Sequence, residues 1–129
     1  MTQVDTETCN TKVRSRSWIL TINNPSAQDT EKFQNFQIVG LAKQSAQIEI
    51  GKNGTRHIQA YIEFKNARRF NAIKKMFPTA HIEKPKHNGK AYNYCKKEET
   101  REEGPWIFPE EDIPRKKIDR DWETFFLLR

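Results

Sequence analysis

Cysteine is scarce in this 129-residue chain, with Cys9 and Cys95 as its only two. One of them falls in a polar N-terminal stretch. Neither a disulfide framework nor a structural zinc site is therefore indicated, and a reducing, intracellular setting is expected. Long apolar runs are missing too. No segment approaches the ~18 residues of a membrane-spanning helix, and the polar N-terminus lacks the apolar stretch of a secretory signal, so no membrane partner is expected. Hydrophobic residues make up only 35% of the chain, which with eight Phe and three Trp is low but sufficient for a small core. The length excludes two full domains. What the chain has in quantity is charge: 23 Lys+Arg against 17 Asp+Glu, a net of +6. That balance favours an anionic partner, most simply nucleic acid, held through phosphate contacts and counterion release.

Residues 1–13 carry neither periodicity nor aromatics and read as a mobile arm. Trp18-Ile19-Leu20-Thr21-Ile22 predicts a strand, stopped by the turn signal Asn23-Asn24-Pro25. Ser26 or Asp29 is placed to cap a short helix that buries Phe33 and Phe36. Residues 38–43 and 46–51 predict two more strands. Residues 56–64 alternate without a break, with Ile58, Ala60, Ile62 and Phe64 on one face and His57, Gln59, Tyr61 and Glu63 on the other. Asn66 is placed to cap a helix running to Phe77, which Pro78 ends. Residues 80–83 alternate as another strand, and Asn88-Gly89 opens a last helix over about 90–99. After Gly104-Pro105-Trp106 the pattern turns polar and proline-punctuated, as in a linker. A single domain over 14–109 is expected, with 110–129 a linker or the start of a following region. Residues 122–129 are amphipathic or apolar with nothing obvious to cover them, which leaves open an oligomer of a longer protein. Antiparallel strands with helices packed on one face predict an α+β sandwich of the ferredoxin-like or RRM-like kind, its other sheet face open to a ligand.

The strand at 56–64 is the most informative segment. Because its core face is fully apolar, His57 and Gln59 project together from the opposite face, about 7 Å apart. Glu49 lies on the polar face of its own strand, between Ile48 and Ile50. A two-residue Asn53-Gly54 turn would set Glu49 opposite Ile58 and put the faces out of step. A three-residue loop, Lys52-Asn53-Gly54 with Gly54 left-handed, sets Glu49 directly across from His57. A carboxylate, an imidazole and an amide oxygen then share one patch, a mixed donor set that suits Mg²⁺ or Mn²⁺ better than a closed zinc site. In the last helix Ala91 and Cys95 form a narrow buried stripe, with Tyr94 and Lys97 on one flank and Tyr92 and Lys96 on the other. A tyrosine beside a lysine can act as a nucleophile, since the ammonium favours the phenolate and neutralises charge on a pentavalent phosphorane. Both flanks qualify, so periodicity does not choose between the two tyrosines.

Three segments, in order, resemble the three motifs of the HUH-family replication-initiator (Rep) endonucleases of circular single-stranded DNA viruses, of the circovirus and nanovirus kind. They are Ile19-Leu20-Thr21-Ile22-Asn23-Asn24-Pro25, the His-hydrophobe-Gln variant His57-Ile58-Gln59, and Tyr94-Cys95-Lys96-Lys97. The resemblance covers about residues 16–108. It implies that Glu49, His57 and Gln59 hold a divalent metal, that Tyr94 rather than Tyr92 is the nucleophile, and that Lys97 assists it. It also implies a metal-dependent endonuclease and ligase that nicks single-stranded origin DNA through a 5′-phosphotyrosine and so starts rolling-circle replication, in the host cell nucleus. Thr21, Asn23 and Asn24 of the first motif, with Arg14, Arg16, Arg68, Arg69, Lys86 and Lys90, are the expected DNA contacts. A full viral Rep continues into a helicase domain with a G-x-x-x-x-G-K-[ST] loop. That motif is not in this sequence, so an isolated nuclease domain or a short form is expected. The main rival is a non-catalytic RRM-like binder of single strands, which needs exposed aromatics on the central strands, and Tyr61 is the candidate.

Overall fold

A computed structural model describes residues 13–110; the arm expected over 1–13 and the linker expected over 110–129 lie, but for one residue each, outside the described residues. The elements in chain order are β1 (Arg14–Asn23), α1 (Ala27–Gln34), β2 (Leu41–Ile50), β3 (Arg56–Arg69), α2 (Phe70–Met76), β4 (His81–Glu83), α3 (Asn88–Tyr94) and β5 (Arg101–Phe108). The five strands form one sheet in the order β4-β1-β3-β2-β5, every neighbouring pair antiparallel. The protein is thus α+β, an open antiparallel sheet with three helices among the described residues, as the sequence pattern predicts. No helix among them is long and apolar enough to cross a membrane.

Alternation builds the core. Trp18, Leu20 and Ile22 of β1, Ile48 of β2, and Ile58, Ala60, Ile62 and Phe64 of β3 point to one face and are all buried. There α1 contributes Phe33 and α2 contributes Phe70 and Ile73. Phe33 stacks on Phe77 at 5.2 Å between ring centroids, and Trp18 meets Phe70 edge-on at 6.3 Å. Ser26 and Asp29 both serve the start of α1. The Ser26 side chain accepts from the Asp29 N–H, and the Asp29 carboxylate accepts from the Ser26 N–H, a reciprocal capping box.

Several boundaries differ from the sequence reading. The strands expected at 38–43 and 46–51 are one strand, β2. Gln44 and Ser45 look like a break but are buried within it. Gln44 Nε2 donates to the Phe33 and Trp106 carbonyls, both at 3.0 Å, and Ser45 Oγ to the Tyr92 carbonyl at 2.7 Å. Residues 66–69 stay in β3 instead of capping a helix at Asn66, because Arg14 and Ser15 of a longer β1 pair with Arg69 and Arg68. Phe36 lies beyond the end of α1 with φ of 54° and leans on Phe108. The last helix ends at Tyr94 rather than near 99, and His87 caps it, its Nδ1 accepting from the Lys90 N–H at 3.2 Å.

The largest difference is at 101–108, a stretch given no strand by the sequence pattern, which forms β5. This strand covers the edge of β2, with Ser45 opposite Ile107 and Ala46 opposite Trp106. The pairing slips between Ala46 and Ile48, where Gly104-Pro105 bulges out. Proline is tolerated on an edge strand at such a bulge, since it has no N–H to give to the ladder. Helices cover both faces of the sheet, unequally. Two lie on the apolar face, and the short α3 crosses the polar one, packing Ala91, Tyr92 and Cys95 over Tyr61.

Candidate active site

The β2–β3 hairpin sets the geometry. Gly51 donates to the Thr55 carbonyl at 2.9 Å, and Gly54 turns back to the Gly51 carbonyl with φ of 85°. Three residues therefore form the loop, and Glu49 stands directly opposite His57. The next row on the same face pairs Gln47 with Gln59, and Gln59 with Thr21 of β1, while Asn23 lies opposite His57.

Glu49 is the electrostatic centre. Its carboxylate is 2% exposed, with Oε1 lying 3.2 Å from His57 Nε2 and accepting from Lys97 Nζ at 2.8 Å. Oε2 accepts from Gln47 Nε2 at 2.8 Å. Burial pushes the Glu49 carboxyl up, but the Lys97 and Gln47 hydrogen bonds and the nearby Lys97 and His57 charges outweigh it, so the group sits below its ordinary value. Beside this pair, Gln59 is buried and its Oε1 accepts from Thr21 Oγ1 at 3.4 Å. The Cys95 thiol, in hydrogen-bonding contact with Gln59, is pushed up to about 12 by burial and by the neighbouring Glu49 charge, and stays protonated.

These donors fit a hard divalent cation. Neighbouring corners of an octahedron with ~2.1 Å bonds lie about 3 Å apart, and Glu49 Oε1 and His57 Nε2 have that spacing. The same oxygen already faces a positive charge, the Lys97 ammonium. Among the described residues no group of three or more His, Cys, Asp and Glu side chains is suited to a metal. The set here consists of one carboxylate, one imidazole and the Gln59 amide.

The two tyrosines of α3 part company. Tyr92 is buried, edge-on to Tyr61 at 5.8 Å, with the Lys43 and Lys96 ammonium groups over its ring at 4.3 and 4.8 Å. Tyr94 is 54% exposed. Lys97 Nζ lies 4.3 Å from its ring centroid, so one lysine touches both Tyr94 and Glu49. Tyr61 is 1% exposed beneath α3, and its hydroxyl donates to Glu63 at 2.7 Å. It offers no stacking platform, and the RRM-like reading loses the aromatic it needs.

The expected DNA contacts fall into groups. Thr21 and Asn23 lie in the rows of Gln59 and His57. Asn24 forms the turn after β1, its N–H donating to the Arg56 carbonyl at 2.8 Å. Lys86 and Lys90 are exposed around the start of α3. Arg14, Arg16, Arg68 and Arg69 lie at the other end of β1 and β3, with Arg14 about 30 Å along the strand from the His57 row. Arg16 pairs with Glu63 at 3.3 Å, and Arg68 lies over the Phe64 ring at 4.8 Å. Sequence reasoning missed Gln47, whose Nε2 also donates to the Lys97 carbonyl at 2.7 Å. Its one signal was position, two residues before Glu49 on the same strand face.

A family model described as "Putative viral replication protein" matches residues 15–98, a stretch holding Glu49, His57, Gln59, Tyr94 and Lys97. A master replication protein of Banana bunchy top virus is 38% identical over 96 residues, covering 70% of this chain and 30% of its own length. The master replication protein of Subterranean clover stunt virus is 38% identical over 98 residues, 72% of this chain and 31% of the relative. A replication-associated protein of Beak and feather disease virus is 36% identical over 91 residues, 64% of this chain and 29% of the relative. The chain therefore spans less than a third of the relatives it matches. With well over half its residues inside the family model, this chain belongs to the family of viral replication (Rep) proteins.

Proposed function

We propose that the chain is a single-stranded DNA nickase and strand-joining enzyme that starts rolling-circle replication of a viral genome, with Tyr94 as its nucleophile. The observation that carries this reading is the single lysine shared by an exposed tyrosine and a buried carboxylate. Glu49, His57 and Gln59 would hold Mg²⁺ or Mn²⁺, which when bound supplies Lewis-acid polarisation of the scissile phosphate. Tyr94 gives up its phenolic proton, and its oxygen bonds to phosphorus as the bond from phosphorus to the 3′ oxygen breaks. A proton returns to that oxygen, leaving a 5′-phosphotyrosine and a free 3′-hydroxyl. Lys97 neutralises charge gathering on the phosphate oxygens. Because the phosphodiester energy is kept in the tyrosyl ester, attack by a 3′-hydroxyl reverses the step and joins strands. The replicative role draws support from the relatives, which are named as replication proteins.

A single-stranded origin oligonucleotide labelled at its 3′ end tests the reading. Incubated with the protein and Mn²⁺, it should move into a covalent protein–DNA band that Tyr94→Phe abolishes and Tyr92→Phe retains. Cleavage without a covalent band would instead assign a hydrolytic nuclease, and a label mapped to Tyr92 would shift the nucleophile.

A further inference from the structure

We propose that Gln47 is a positioning residue, its side-chain amide fixing the Glu49 carboxylate and the 94–97 segment to one another. The proposal rests on the reading of Glu49 as a metal ligand and Tyr94 as the nucleophile. Gln47 is fully buried on β2. An amide nitrogen carries two hydrogens, and Gln47 uses both, one on Glu49 Oε2 at 2.8 Å and one on the Lys97 carbonyl at 2.7 Å. Its own Oε1 is buried with no hydrogen-bond partner. An apolar side chain of the same size would avoid that cost, so packing alone does not account for a glutamine here.

The two donated bonds do different things. A carboxylate rotates freely about its last bond, and holding Oε2 leaves Oε1 as the oxygen turned toward His57 and Lys97. The second bond joins β2 to a segment 50 residues away. Past the end of α3 the backbone N–H groups of that segment make turn hydrogen bonds, such as Lys97 N–H to the Tyr94 carbonyl at 3.4 Å, and Arg101 Nη1 donates to the Lys96 carbonyl at 3.4 Å. The Gln47 side chain also has little room to turn. Gly104, with φ of 98°, brings the backbone of β5 so close that a Cβ there would sit 3.1 Å from Gln47 Cβ.

Gln47→Met keeps the length and removes both donors; if it does not fold, Gln47→Asn, too short to reach both acceptors, replaces it. Mn²⁺ binding is followed by the electron-spin signal of the free ion in wild type, Gln47→Met, Glu49→Gln and the double variant. Gln47→Met should weaken Mn²⁺ binding about tenfold and have little further effect in the Glu49→Gln background. Without metal, NMR order parameters of the amides of residues 96–98 should fall in Gln47→Met from about 0.85 toward 0.6. Amides as rigid in the variant as in wild type overturn the proposal. So does unchanged Mn²⁺ affinity in Gln47→Met where Glu49→Gln weakens it. If Glu49→Gln leaves Mn²⁺ binding untouched while the amides loosen in Gln47→Met, the Gln47 clamp stands and Glu49 fails as a metal ligand.

Discussion

Replacing Lys97 with Met removes an ammonium while keeping the unbranched stem. The consequence falls on Glu49, whose carboxylate is 2% exposed and loses its closest charged partner at 2.8 Å. Breaking a fully buried ion pair costs about 3–5 kcal/mol. Here the Gln47 hydrogen bond remains and Lys97 is partly in water, so about 2 kcal/mol is expected at pH 7 with chelator present. For a domain of this size that is a fall in Tm of roughly 10 °C. The sign of the pH effect follows from the carboxylate. In wild type its pKa is lowered, so its contribution is full above the ordinary carboxylate value and fades as pH falls through the depressed one. In Lys97→Met burial dominates and the penalty is that of a charged, buried carboxylate. The gap between the two proteins should therefore be widest near neutrality and shrink as pH falls through the raised carboxyl value of the variant toward the depressed value of the wild type. Differential scanning calorimetry at several pH values measures it, with Lys97→Met in a Glu49→Gln background as the control that regains most of the loss. A Lys97→Met protein melting within 2 °C of wild type at pH 7 would refute the electrostatic account of the site.

Three further outcomes are expected. His57→Ala should abolish nicking in Mg²⁺ and Mn²⁺ while costing about 1 kcal/mol or less in urea unfolding, since its side chain is at the rim of the sheet rather than in the core. Tyr92→Ala should cost about 3 kcal/mol because it empties the space over Tyr61, whereas Tyr94→Ala should change urea stability by no more than about 0.5 kcal/mol; equal losses would contradict the burial difference. Binding of single-stranded DNA should weaken with salt by about 0.7 in log K per log salt for each phosphate contact, and Arg14, Arg68 and Arg69 changed together to Gln should flatten that slope by about 2. An unchanged slope would mean that the far end of the sheet does not touch the strand.

What the sequence disclosed followed from strict alternation. The unbroken run through Ile58, Ala60, Ile62 and Phe64, with a left-handed Gly54, is enough to place Glu49 across from His57. Where polarity stands inside a strand, alternation misleads. Gln44 and Ser45 look like a break in β2 because their hydrogen-bond partners, the carbonyls of Phe33, Trp106 and Tyr92, are distant in sequence. The same holds for β5, whose Glu102, Glu103, Gly104 and Pro105 show no strand pattern until the open edge of β2 gives the segment a ladder to join. The tyrosines could not be separated by helical period because α3 stops at Tyr94, so Lys97 reaches Glu49 from a turn. Gln47 was invisible for a plainer reason. A buried glutamine and a surface one are the same letter.

The contacts of the site differ greatly in sequence separation. Glu49 and His57 are 8 residues apart, across a three-residue loop, while Glu49 and Lys97 are 48 apart and Gln47 and Lys97 are 50 apart. A short hairpin closes on the microsecond scale, whereas contacts of long separation wait until chain entropy has been surrendered elsewhere. The carboxylate–imidazole half of the site is therefore expected to form with its hairpin, and the tyrosine-bearing half to dock after β1, β3 and β2 have assembled. A partly folded chain would then carry Glu49 and His57 together without Tyr94 and Lys97, so under the proposed function the capacity to cut DNA would arrive last and be the first thing lost when the fold loosens.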